Sequence, residues 1–188
     1  MAANFFYTIW RAFTVFYAVV QLYQGATGFS LLVAANAAGF ALGAILPGRL
    51  HTERNPGVWL QMTWGIDGLV IVVLALVPSL YAAMALTVLV GTLLSIGNTT
   101  WHSGVQRKVL DELLGRYFVT DEAGSFAMMP AGTAIRGFLV LRFGIFWTDA
   151  IAGVGSLIVN LPLVLSPTIR GWGRERDSPG TATPVNRR

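Results

Sequence analysis

Cysteine is absent from this chain of 188 residues, and charged side chains make up only 12% of it. Without cysteine, disulfides and thiolate metal sites are excluded. Soluble domains carry about 25% charged residues, so a chain this poor in charge cannot cover its surface with polar groups in water. Because 54% of the residues are hydrophobic, the composition predicts a membrane protein.

Signatures of common catalytic sites are also missing. The sequence contains no GxSxG, no HExxH and no phosphate-binding Walker loop, and its two histidines, His51 and His102, are far apart. We therefore predict that the chain is not an enzyme and holds no cofactor or metal. The net charge of +4 comes mostly from basic residues beside the apolar runs and in the tail, so nucleic acid is not an expected partner either.

Apolar runs of about 20 residues, the length that a helix needs to cross a bilayer, fill most of the chain. They predict an all-helical bundle of six transmembrane helices within residues 1–168. The predicted spans cover residues 4–23, 28–47, 58–77, 80–104, 123–146 and 150–165. Residues 105–122 are predicted to form an amphipathic loop on the membrane surface, since Val109, Leu110, Leu113, Leu114 and Tyr117 fall on one helical face.

Short polar segments separate the remaining spans. Thr148-Asp149 is the predicted break between the fifth and sixth spans, and residues 169–188 are predicted to be a disordered tail. An even number of spans brings both termini and most of the basic loop residues to the same side. The positive-inside rule then predicts a multi-pass protein of the plasma (inner) membrane with both termini in the cytoplasm.

Charged residues inside the spans are the strongest functional candidates. Asp67 and Arg136 are predicted near mid-depth, and so is Arg11. A charge there costs at least about 2.5–3.5 kcal/mol, so it normally faces a partner, water or a cavity. Three interpretations stay open: Asp67 pairs with Arg136 or Arg11, Asp67 takes up and releases a proton, or Arg136 binds an anionic group of a substrate. Asn98 is a further candidate for lining a polar path.

The predicted loop and the helix after it carry a family resemblance. Trp101, Gln106, Val109, the run Asp111-Glu112-Leu113-Leu114-Gly115-Arg116, Asp121, Ser125, Pro130, Gly132 and Gly137 resemble the region between the tenth and eleventh helices of major facilitator superfamily exporters. The likeness is to the bacterial efflux branch that includes macrolide and enterobactin exporters. The segment GFALGAILPGRL resembles the eighth helix and the following loop of the same family.

This resemblance implies that the chain corresponds to the C-terminal six-helix half of such a transporter. It also implies proton-coupled efflux of small amphipathic molecules, at a site between two halves. Arg49, Arg54, Glu112, Gly115, Arg116 and Asp121 would then belong to a cytoplasmic charge network that latches one state. Pro130 and Gly132 would bend the fifth span. Two residues depart from the family pattern: Leu110 stands where proline is common, and Arg136 stands where a small residue is usual.

The N-terminal half that the resemblance implies has no counterpart in the sequence. Three explanations stay open: a fragment of a longer protein, a split transporter whose other half is a separate chain, or a half that pairs with a second copy of itself. The alternative function is a non-transporting membrane subunit. The expected partners are the lipid bilayer, the other half and a small-molecule substrate.

Overall fold

The structure, a computed structural model, describes residues 17–172. These residues are helical almost throughout and contain no strand. After a π-helical turn at Tyr17–Gln21, five α-helices follow, which we number in chain order: α1 Gly25–Leu50, α2 Pro56–Leu76, α3 Leu80–Lys108, α4 Asp111–Asn160 and α5 Pro167–Gly171. Short 3₁₀ turns at Thr52–Arg54 and Pro162–Leu165 connect α1 to α2 and lead into α5.

Four of the helices in this described part are long and apolar enough to cross a membrane: α1, α2, α3, and α4 with its extension to Leu165. This finding supports the prediction of an all-helical membrane protein. Three of them cover the second, third and fourth predicted spans. Most of the first predicted span, and Arg11 with it, lies outside the described residues, so a six-helix bundle remains a prediction.

The outward and inward faces of the helices differ in chemistry. Large apolar side chains of α2 point outward, with 40% to 61% of their surface exposed: Met62, Ile66, Leu69, Val73 and Leu76. The buried face of α1 is instead built of Gly28, Leu32, Ala35, Gly39, Gly43 and Pro47. In water, so much exposed apolar surface would be unfavourable, whereas in hydrocarbon it matches the solvent, and small inward residues let helices approach closely.

Helix α3 lies between α1 and α2, and α2 in turn packs against α4. Close approach depends on glycines at each crossing. A Cβ on Gly39 would overlap the backbone of Val88, and the hydroxyl of Thr92 donates a hydrogen bond to the Gly39 carbonyl at 3.1 Å. Gly68 of α2 and Gly153 of α4 face each other in the same way. Gly39 and Gly43 thus lie at the close contact between α1 and α3.

Helix α4 differs from the predicted arrangement in two respects. Its first turns, from Asp111, run without interruption into the fifth predicted span, so the amphipathic segment is not a separate surface helix. Only 109–110 separate α4 from α3. The physical reason is that the first turns contain good helix formers such as Glu112, Leu113 and Leu114, and no proline occurs between residues 111 and 129.

The break between the fifth and sixth predicted spans lies at Gly144, not at Thr148-Asp149. Gly144 has φ 81° and ψ 171°, which interrupts the helical backbone of α4. Thr148 and Asp149 are helical and fully buried, and the Thr148 hydroxyl donates to the Gly144 carbonyl at 2.8 Å. The Thr148 hydroxyl and one oxygen of the Asp149 carboxylate find partners inside the protein, so these residues do not form a loop.

Replacing Gly144 by alanine is expected to destabilise the protein by about 1–3 kcal/mol, because this backbone region is essentially restricted to glycine. The measurement is the free energy of unfolding in mixed micelles. Gly137→Ala is the matched control, since Gly137 lies in the helical part of α4 and has no atom within 4 Å of a built Cβ. Equal stability of the two variants would contradict the positive φ of Gly144 at the break.

The first residues of the predicted disordered tail are ordered. Residues 169–172 belong to α5 and the residue after it, and they pack against the ends of α2 and α3. A Cβ on Gly57 would overlap the Ile169 carbonyl, and the ring of Trp172 lies against Gly104. The rest of the predicted tail lies outside the described residues.

Candidate functional site

Asp67 lies in the middle of α2 and is 7% exposed. Helix α2 packs against both α3 and α4, and Thr63 and Gly68 near Asp67 are buried. Gly97 of α3 approaches Thr63, one turn before Asp67, and places the carboxylate at the level of the α2–α3 contact. Oδ1 of Asp67 has no hydrogen-bond partner among residues 17–172. A carboxylate oxygen is thus enclosed without a donor.

Arg136 and Asp149 form a buried ion pair across the break in α4. Their Nη1 and Oδ1 atoms are 3.0 Å apart, and the side chains are 3% and 0% exposed. In a straight helix, residues 13 positions apart would be separated by about 20 Å along the axis. The pair therefore exists only because the chain bends sharply at Gly144, and it holds the two arms of α4 in that bend.

The ion pair decides between the partners predicted for Arg136. Arg136 contacts Asp149 rather than Asp67, so the predicted Asp67–Arg136 pair is wrong. Pairing of Asp67 with Arg11 involves a residue outside the described part. Asp149 was missed as a partner because a polar dipeptide between two apolar runs was interpreted as a turn. The sequence does contain a signal that identifies Asp149. The chain has only nine Asp and Glu residues, and an acidic residue one apolar run away from an intramembrane arginine is its natural counter-ion.

A second group of buried polar side chains joins α2 and α4. The hydroxyl of Ser156 donates to the carbonyl of Trp64 at 3.1 Å, and the amide of Asn160 donates to the Ser156 carbonyl at 2.8 Å. Sequence reasoning did not single out these residues, because serine and asparagine near a helix end also serve as caps. Asn98, which was predicted to line a polar path, is half-buried on α3 and follows Gly97 at the contact with Trp64.

The residues predicted to form a cytoplasmic charge network lie at one end of the bundle. Arg49, Arg54, Glu112, Gly115 and Arg116 are exposed. Among residues 17–172, none of these side chains forms an ion pair in this structure. Asp121, the remaining member, accepts a hydrogen bond from the Trp101 indole nitrogen at 3.2 Å. The latch stays a prediction.

Pro130 and Gly132 lie within α4, where the backbone remains helical on both sides of them. The bend predicted at Pro130 and Gly132 stays a prediction, and the non-helical backbone angles of α4 are at Gly144. Proline is tolerated there because a long membrane helix can redistribute the lost hydrogen bond locally, whereas only glycine can adopt the backbone angles found at the break.

Metal or cofactor ligands do not cluster in the described part of the chain: residues 17–172 contain no group of three or more His, Cys, Asp or Glu side chains able to hold a metal ion. The chemistry available in the apolar region is that of one enclosed carboxylate, one ion pair and several hydroxyl and amide groups. Comparison with protein-family models, curated proteins and solved structures gives no match for this chain.

Proposed function

We propose that this chain is one half of a secondary active transporter that exports small amphipathic molecules in exchange for protons. The observation that carries the proposal is Asp67, a carboxylate buried in the middle of an apolar helix with one oxygen unsatisfied. An ionisable group in such a place is costly, and in membrane proteins it generally marks a pathway for ions or substrates. The resemblance of the loop and following helix to major facilitator exporters supports the same function.

Asp67 is the proposed coupling residue. A buried carboxylate without donors is favoured in the protonated form, and exposure to water on one side of the membrane favours its ionised form. Alternation between the two environments would therefore bind a proton on one side and release it on the other. Arg136 is a poorer candidate for binding substrate, because Asp149 already accepts one of its hydrogen bonds and neutralises its charge.

The other wall of the substrate site is supplied in this proposal by an N-terminal six-helix half or by a second copy of the chain. Alternating access in such folds is a movement of one bundle against the other around a site near the bilayer midplane. In the alternative, a non-transporting membrane subunit, Asp67 would have no role in proton movement. A measurement of proton flux therefore distinguishes the transporter from the non-transporting subunit.

Asp67→Asn is expected to abolish substrate-dependent proton flux, because asparagine cannot release a proton. The full-length chain is reconstituted into liposomes that contain a pH-sensitive dye, a proton gradient is imposed, and ethidium or erythromycin is added. The wild-type chain should release protons on addition of at least one of the two.

Asp111→Asn is the matched control for this experiment. It makes the same chemical change at the exposed first residue of α4 and should leave the flux unchanged. Flux that is equal in Asp67→Asn and the wild type would exclude the coupling role. No flux in any of the proteins would exclude transport by this chain alone or by two copies of it.

A further inference from the structure

The C-terminal end of the described chain closes over one end of the bundle. Leu161, Leu163 and Leu165 are 53%, 38% and 70% exposed, and α5 follows directly. Ile169 packs on Gly57 at the start of α2, and Trp172 packs on Gly104 near the end of α3. Exposed leucines and a docked short helix thus lie side by side where the apolar part of the bundle ends.

Trp172 is the centre of a small aromatic and basic cluster. Its ring centroid lies 5.4 Å from that of Trp101, and the Lys108 ammonium group is 5.7 Å from the ring. Arg170 is exposed, and its Nε donates to the Val164 carbonyl at 2.9 Å, which orients the guanidinium. Arg107, also exposed, precedes Lys108 in the last turn of α3. We call Arg107, Lys108, Arg170 and Trp172 the Trp172 surface.

Acidic residues of the described part also lie near this end. Asp121 is engaged by the Trp101 indole, and Asp111 and Glu112 lie in the first turn of α4, where acidic side chains favour the helix terminus. The opposite end of the bundle contains the turn 77–79, which has no charged side chain. Three basic side chains thus gather near Trp172 at this end, whereas the described residues around the break in α4 at the other end have one that is exposed, Arg142.

We infer that the Trp172 surface binds the phosphate of an anionic phospholipid headgroup, while Leu161, Leu163 and Leu165 contact its acyl chains. Lysine and arginine near a membrane surface are attracted to anionic lipids, and tryptophan prefers the headgroup level. The adjoining apolar side chains favour a lipid over a free phosphate ion. The inference requires that the helices cross a membrane, but it does not depend on transport.

The test is preferential quenching of tryptophan emission by brominated lipids. The full-length chain is reconstituted into phosphatidylcholine bilayers that contain increasing fractions of brominated phosphatidylglycerol or of brominated phosphatidylcholine. Subtracting the signal of Trp172→Phe isolates the emission of Trp172. We expect the anionic lipid to quench Trp172 at a lower fraction than the zwitterionic lipid. Each basic side chain is expected to contribute about a fivefold preference.

Arg107→Ala combined with Lys108→Ala and Arg170→Ala should remove the preference. Arg142→Ala, at an exposed arginine beside the break in α4 and thus at the other end, should retain it. Circular dichroism checks that each variant is folded. Equal quenching by the two lipids in the wild type would overturn the inference. Loss of the preference on addition of millimolar inorganic phosphate would show that the surface takes a free anion instead of a lipid.

Discussion

Arg136→Ala is expected to lower the free energy of unfolding by about 3–5 kcal/mol, because it leaves the buried carboxylate of Asp149 without its counter-ion. Asp149 is fully buried, and Arg136 is the partner that donates to its Oδ1. The pair also closes the bend at Gly144, so its loss releases the two arms of α4 from each other. The measurement is equilibrium unfolding of the purified chain in mixed micelles of increasing denaturing detergent content.

Two further variants make this result specific to the pair. Arg142→Ala removes an exposed arginine from the same helix and should change stability by less than about 1 kcal/mol. Arg136→Met combined with Asp149→Leu removes both charges and should recover most of the lost stability, because an apolar pair avoids the desolvation penalty. If the double variant is as unstable as Arg136→Ala, the effect comes from packing and not from the unpaired charge.

The positions of α1, α2 and α3 could be predicted from the sequence because each is a long apolar run bounded by proline, glycine or charged residues. Pro56, for example, occupies the first turn of α2, where its missing N–H is not needed. Gly39 and Gly43 lie four residues apart in an apolar helix, a local pattern that is typical of close helix contacts. Signals of this kind depend only on neighbours in the chain.

The bend in α4 could not be predicted in the same way. Gly144 is one of several glycines in an apolar stretch, and nothing local marks it as the residue with a positive φ. The break was predicted at Thr148 and Asp149 instead, because polar residues usually end a membrane span. In a protein whose outer face is apolar, polar side chains are instead placed inward, and only the tertiary structure shows that Asp149 meets Arg136.

The residues that surround Asp67 also depend on how the helices are arranged in space, and this arrangement cannot be read from the sequence. Asp67 could be placed at mid-depth by counting residues, and it is indeed buried in the middle of α2. Its lack of a partner in the described part of the chain follows from α2 packing between α3 and α4 at that level, with Arg136 paired elsewhere. A periodicity argument identifies the buried face of a helix but not the helix that covers it.

Gly39→Ala combined with Gly43→Ala is expected to cost about 2–6 kcal/mol of stability, at about 1–3 kcal/mol for each overpacked site. A Cβ on Gly39 would overlap the Val88 carbonyl, and one on Gly43 would lie 2.7 Å from the Ser95 Cβ and overlap the Thr92 carbonyl. Backbone atoms cannot move aside as a flexible side chain can, so α1 and α3 must separate. Separation would also break the hydrogen bond from Thr92 to the Gly39 carbonyl.

Gly48→Ala provides the matched control within α1, since a Cβ at Gly48 meets no atom within 4 Å. There alanine should be neutral or stabilising by up to about 1 kcal/mol, because it is the better helix former. The same substitution is thus expected to have opposite signs at the crossing and outside it. Unfolding in mixed micelles measures both effects, and a crossing variant as stable as Gly48→Ala would show that α1 does not pack on α3 through its glycine face.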